Sequence, residues 1–79
     1  MINAYILIAM EPGRSDRAIK EMRSIERIEK ISVVAGEYDI VVRVHVENLE
    51  DLLEVTDKIH EITGVKKTTT QVIEKELSL

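Results

Sequence analysis

The 79-residue sequence has no cysteine, tryptophan or phenylalanine, and only one proline, three glycines and two tyrosines. Without cysteine there is no disulfide staple and no thiolate metal site, and the Cys-x-x-Cys of metal-carrying small domains is missing. Tyr5 and Tyr38 are too few rings for the stacking platform that reads single-stranded RNA. His45 and His60 are the only histidines and no zinc-type spacing links them, so no metal is expected. There is no glycine-rich phosphate loop, and no serine lies at a recognisable nucleophile elbow with a histidine partner. No catalytic constellation and no cofactor site follow from the residues. The apolar opening stretch Met1 to Met10 is too short to span a bilayer and has no basic leader, so it reads as a strand of a cytoplasmic protein with no membrane partner.

The charge is also one-sided: net −4, with an isoelectric point near 5.1. Such a chain repels a phosphate backbone unless its cations are segregated. Arg14, Arg17, Lys20, Arg23, Arg27 and Lys30 recur through one stretch, but Asp16, Glu21, Glu26 and Glu29 are interleaved with them. The pattern is that of a solvated helix face with paired charges, and direct nucleic-acid contact is not expected.

What is present is β-branched and aliphatic residues in clear periods. Residues 2 to 10 alternate Ile2, Ala4, Ile6, Ile8 against Asn3, Tyr5, Leu7, Ala9, a strand with both faces apolar. Glu11-Pro12-Gly13 breaks it. Ser15 then caps a helix running to about Ile28, with Ala18, Ile19, Met22, Ile25 and Ile28 as its apolar stripe. Ile31 to Ala35 and Ile40 to Val46 form a hairpin around Gly36. Asn48 caps a second helix with Leu49, Leu52, Leu53, Thr56, Ile59 and Ile62 inward, and Gly64 ends it. Val65 to about Glu76 is the last strand. The order βαββαβ is the ferredoxin-like α+β arrangement: a four-stranded antiparallel sheet with two helices on one face, a single domain over residues 1–79. So small a chain buries little surface alone, and the bare sheet face calls for a second copy, as a sheet-against-sheet or edge-paired dimer.

Gly36-Glu37-Tyr38-Asp39 is the best candidate site. Glycine admits the backbone angle of a tight loop and lets a ligand approach the following N–H groups, which can hold a carboxylate. Asp39 can accept from an ammonium, and Tyr38 supplies a wall and a hydroxyl. Taken alone, the same residues are also what a simple turn selects. Thr68 and Thr70 share one face of the last strand and Thr69 and Gln71 the other; aligned hydroxyls can position a polar ligand, or reflect β propensity only.

Gly36, Tyr38 and Asp39, the Val41-Val42-Arg43-Val44 strand, Leu52, and Gly64-Val65 with Thr68 and Thr70 resemble, in order and spacing, the effector-binding (RAM, regulation of amino acid metabolism) domain of Lrp/AsnC proteins. The resemblance covers essentially the whole chain. It implies a non-enzymatic amino-acid sensor that dimerises through its sheets, builds rings such as octamers, and binds its effector between dimers. Carried over, the effector contacts are Gly36, Glu37, Tyr38, Asp39, Thr68 and Thr70, with Glu37 at a variable position of the motif. Strand residues begin at Met1, so a stand-alone member without the helix-turn-helix is expected, one able to co-assemble with a full-length Lrp/AsnC regulator. The competing expectation is a small metabolic enzyme or enzyme-regulatory subunit on the same fold. An acylphosphatase-like enzyme needs an anion-cradling loop after the first strand, and Glu11-Pro12-Gly13-Arg14 supplies its arginine in an ill-suited setting.

Overall fold

The computed structural model describes residues Met1–Leu79. Six elements follow one another: β1 (Ile2–Met10), α1 (Ser15–Met22), β2 (Ile28–Val33), β3 (Ile40–Val46), α2 (Leu49–His60) and β4 (Val65–Val72). The strands form one antiparallel sheet in the order β2-β3-β1-β4, so β1 and β3, the most apolar strands, are central and β2 and β4 are the edges. This is the expected ferredoxin-like βαββαβ topology.

Period-two alternation decides the layers. Ala4, Ile6, Ile8 and Met10 of β1 and Ile40, Val42, Val44 and Val46 of β3 face the helices and are buried. Ala18 and Met22 of α1, Leu52, Val55 and Ile59 of α2, and Ile62 beyond it complete a core that contains no buried polar residue. The outward residues of β1 and β3 are Asn3, Tyr5, Leu7 and Ala9 beside Val41, Arg43 and His45. The outer face is therefore a half-buried apolar centre of Leu7, Ala9 and Val41 framed by polar groups, rather than the second oily face expected of β1. Arg43 donates to the Tyr5 hydroxyl (3.2 Å), and the His45 Nδ1 bonds Asn3 Oδ1 (2.7 Å).

Several boundaries differ from the periodicity. Arg14, rather than Ser15, occupies the N-cap of α1, and it makes no side-chain cap bond. The Pro12-Gly13 turn, closed by the Arg14 N–H on the Glu11 carbonyl (3.2 Å), brings the chain into helix one residue early. The same helix stops at Met22 because Ser24 and Ile25 turn back, their N–H groups bonding the carbonyls of Glu21 (3.2 Å) and Met22 (3.0 Å). Ile25 and Ile28 still pack against the core, but from a turn and from the first residue of β2. Their spacing of three satisfies a helix as well as a turn leading into a strand, which is why sequence alone extends α1 too far. Strand β2 accordingly starts at Ile28, carries a bulge around Glu29 and ends at Val33, so Val34 and Ala35 belong to the loop. The ion pairs near α1 are also not internal to it: Arg27 reaches across to Asp51 (3.6 Å) and Glu54 (3.9 Å) of α2.

On α2, Leu49 and Leu53 are each 62% exposed, whereas Val55 is buried. The helix is rotated so that Leu52, Val55 and Ile59 meet the sheet, leaving Leu49 and Leu53 on a flank that this chain does not cover. Asn48 caps it as expected, its side chain accepting from the Asp51 N–H at 2.9 Å. Replacing Asn48 with Ala is expected to cost about 1 kcal/mol, read as a lowered midpoint in urea with an unchanged slope. Strand β4 ends at Val72 rather than near Glu76.

Candidate functional site

The loop between β2 and β3 is closed by the Val34 N–H donating to the Asp39 carbonyl (3.0 Å). Inside it Gly36 takes φ +154, in the region that L side chains rarely adopt, and a Cβ there would meet nothing within 4 Å. The constraint at Gly36 is thus backbone conformation alone, with open space in front of the peptide. Ala35, Gly36 and Glu37 are exposed, and Tyr38 and Asp39 are half-buried.

Asp39 carries a structural duty. Its N–H donates to the Ile8 carbonyl (2.9 Å), and its Oδ2 accepts from the Met10 N–H at 2.7 Å. The carboxylate therefore pins the end of β1 to the start of β3, leaving Oδ1 for any ammonium. Asp39→Ala strands the Met10 N–H and is expected to cost about 1–3 kcal/mol. Asp39→Asn retains an acceptor for Met10 and is expected to stay within about 1 kcal/mol of the parent in the same denaturant titration.

Tyr38 crosses β1 to reach β4. Its hydroxyl lies 2.9 Å from Thr69 Oγ1, and the Lys67 ammonium stands 5.7 Å from its ring centroid. Lys67 and Thr69 are the β4 residues brought to the loop, and neither stands out as a site residue in the sequence. A signal for them exists all the same: Lys67, Thr69 and Gln71 share one face of a strand, the face that pairs with Ala9, Leu7 and Tyr5.

Thr68 and Thr70 face the other way. They pair with Ile8 and Ile6, whose side chains point toward the helices. Thr68 Oγ1 shares a hydrogen bond with His60 Nε2 of α2 at 2.7 Å, and Thr70 is exposed. Within one chain the sheet separates these threonines from the Tyr38 side chain. The six expected contact residues accordingly divide into two half-sites: the loop Gly36–Asp39, and the Thr68/Thr70 edge with the exposed flank of α2 beside it.

Two other clefts have different chemistry. One, about 430 Å³, lies between α1 and the β2 edge, with Ile19, Met22, Ile28, Ile31 and Val33 in its walls and the charged Arg23, Glu29 and Lys30 among them. A second, about 470 Å³, lies on the outer sheet face among Tyr5, Lys30, Ser32, Val41, Arg43 and Glu76. No group of three or more His, Cys, Asp or Glu side chains converges as a metal cage, and no helix is long and apolar enough to cross a membrane.

The family model described as Lrp/AsnC ligand binding domain matches residues 3–78. An HTH-type transcriptional regulator of Pyrococcus abyssi is 32% identical over 72 residues, which is 91% of this chain and 48% of that protein. The chain spans about half the length of the curated regulators it matches. A homocitrate synthase of Sulfolobus acidocaldarius shares 32% identity over 53 residues, 67% of this chain and 11% of the enzyme. Among solved structures, a Thermus thermophilus protein superposes with a TM-score of 0.92 at 26% identity, covering 100% of both chains. A feast or famine regulatory protein of M. tuberculosis, complexed with L-methionine, superposes at 0.85 with 25% identity, over 100% of this chain and 54% of its own.

Proposed function

This chain belongs to the Lrp/AsnC ligand-binding domain family, and from that premise we propose that all 79 residues form one effector-sensing and assembly module, acting in the cytoplasm, which takes a small amino acid between copies of itself. The family match carries the reading, and the split of the six residues into two half-sites supports the placement between copies. In this reading the Gly36–Asp39 loop of one copy receives the zwitterion: peptide N–H groups after Gly36 take the carboxylate, and Asp39 Oδ1 takes the ammonium. Thr68 and Thr70 of an adjoining copy add hydroxyls from the other side, with Glu37 at the rim. The L-methionine held by the M. tuberculosis relative is a ligand of the proposed class.

The mechanism is linkage. A ligand that fills a gap between copies stabilises the assembly that forms the gap, by no more than its differential affinity for that assembly. The output is a change of ring size, or of partner, including co-assembly with a full-length regulator of the same family. The similar Pyrococcus regulators bear transcription names, and the chemistry asked of these residues is binding. The stretch shared with a homocitrate synthase favours a second reading, in which a module of this type regulates an enzyme.

Native mass spectrometry with a panel of amino acids tests the proposal. One ligand per inter-copy contact is expected, lost in Asp39→Asn while the assembly persists; Asn is the informative variant because it retains the Met10 bond. An unliganded monomer under every condition removes the reading. Capture of an enzyme from the native cell, with no family regulator among the captured proteins, favours the second.

A further inference from the structure

Beyond β4 the chain keeps one backbone tie, the Ile73 N–H donating to the Asn3 carbonyl at 2.8 Å, and then runs without helix or strand. It nevertheless returns to the outer face of the sheet. Arg43 of β3 donates through Nη1 to Glu76 Oε2 (3.0 Å) and through Nη2 to Glu76 Oε1 (3.2 Å), a forked pairing that fits a planar guanidinium to a carboxylate. The fork is held from behind. Nη1 also donates to the Tyr5 hydroxyl (3.2 Å), the guanidinium lies 5.5 Å from the Tyr5 ring centroid, and Nε is 3.4 Å from Glu29. Glu76, and then Tyr5, hold this guanidinium more firmly protonated than an ordinary arginine. Lys30 and Ser32, from edge strand β2, line the same cleft.

We propose that this outer-face cradle is a receptor for the acidic segment after β4, and that in solution the segment it receives belongs to a second copy of this chain. Two observations favour exchange over retention within one chain. The segment buries little at home: Leu77 is 74% exposed, Leu79 is wholly exposed, and Val72, where β4 ends, is 47% exposed. The cradle is also lined by the half-buried Val41, whose cross-strand partner Leu7 continues the apolar centre of the outer face. Swapping an identical arm keeps the Arg43–Glu76 fork and adds apolar burial at no loss of hydrogen bonds. In a two-fold dimer the exchange is mutual, so each copy gives Glu76 and receives Glu76. The inference rests on the assembly part of the proposed function and is independent of the effector.

Complementary charge reversal tests it. Arg43→Glu and Glu76→Arg each place like charges in the fork, whereas a mixture of the two restores a matched fork only across a dimer. Native mass spectrometry of an equimolar mixture is expected to show the mixed dimer as roughly nine-tenths or more of all dimers. A statistical mixture, half of it mixed, shows assembly without exchange and overturns this proposal while leaving the proposed function intact. A monomeric parent chain overturns both. If Arg43→Glu fails to fold, the absence of native cysteine allows a second measurement. Arg43→Cys mixed with Glu76→Cys and treated with a short bismaleimide is expected to yield a covalent heterodimer; cross-linking only inside a chain carrying both substitutions overturns the exchange.

Discussion

Ile6→Ala is expected to lower the melting temperature by more than about 10 °C in a circular-dichroism melt. Ile6 lies in the middle of β1, fully buried, with Val42 on one side and Thr70 on the other. Truncating the side chain at such a site costs its transfer energy plus the cavity left behind, about 2–5 kcal/mol. Domains of this class are held by only about 0.05–0.15 kcal/mol per residue, so the loss takes a large share of the whole. Each kcal/mol lost moves the midpoint by roughly 4–8 °C in a domain of this size, which sets the size of the drop. A drop below about 3 °C would mean that α1 and α2 close over the gap, which a core built on a sheet should resist.

The second large effect is expected at Gly64→Ala. Gly64 takes φ +95, and a Cβ there would stand 2.6 Å from Arg14 Cβ and 2.8 Å from Arg14 Cγ. The Gly64 carbonyl also accepts from the Glu11 N–H at 2.8 Å, so the turn into β4 and the start of the α1 approach are tied at this point and cannot part freely. The left-handed backbone costs an L residue about 1–2 kcal/mol, and the overlap adds about 1–3 kcal/mol. A combined loss of about 2–5 kcal/mol is therefore expected in denaturant titration. Arg14→Gly in the Gly64→Ala background separates the two causes. It removes the clashing Cβ and should restore the overlap part only; full restoration would refute a backbone penalty at Gly64.

The fold was legible because β1, β3 and α2 have strong periods. Asn48 opens α2 by cap chemistry that acts locally, so its position could be read without knowing the tertiary contacts. Gly64 is not the C-cap expected of it, because α2 already ends at His60 with Glu61 as its C-cap, and Gly64 instead makes the turn into β4. Where two geometries share one spacing, the reading failed. Ile25 and Ile28 continue the stripe of α1 in sequence, but the chain must turn at Ser24 for Ile28 to pair with Val44. The rotation of α2 was equally invisible: Leu49, Leu53 and Val55 are all aliphatic, and only packing against the sheet selects Val55.

The candidate site shows the same division. Gly36, Tyr38 and Asp39 stand out by residue type and order, and the family resemblance that they carry is upheld by the match over residues 3–78. Their present partners do not stand out, because each is distant in sequence: Asp39 binds the Met10 N–H, and Tyr38 binds Thr69.

By itself, the order of residues determined the six elements, the inward rows of the two central strands and the membership of the family, since each rests on alternation, capping or motif spacing that acts over a few residues. Tertiary structure alone decided that Thr68 and Thr70 turn away from Tyr38, that Asp39 braces β1, and that Arg43 grips Glu76. Those facts depend on which strands become neighbours, a choice made by burial of the whole core and written in no single segment.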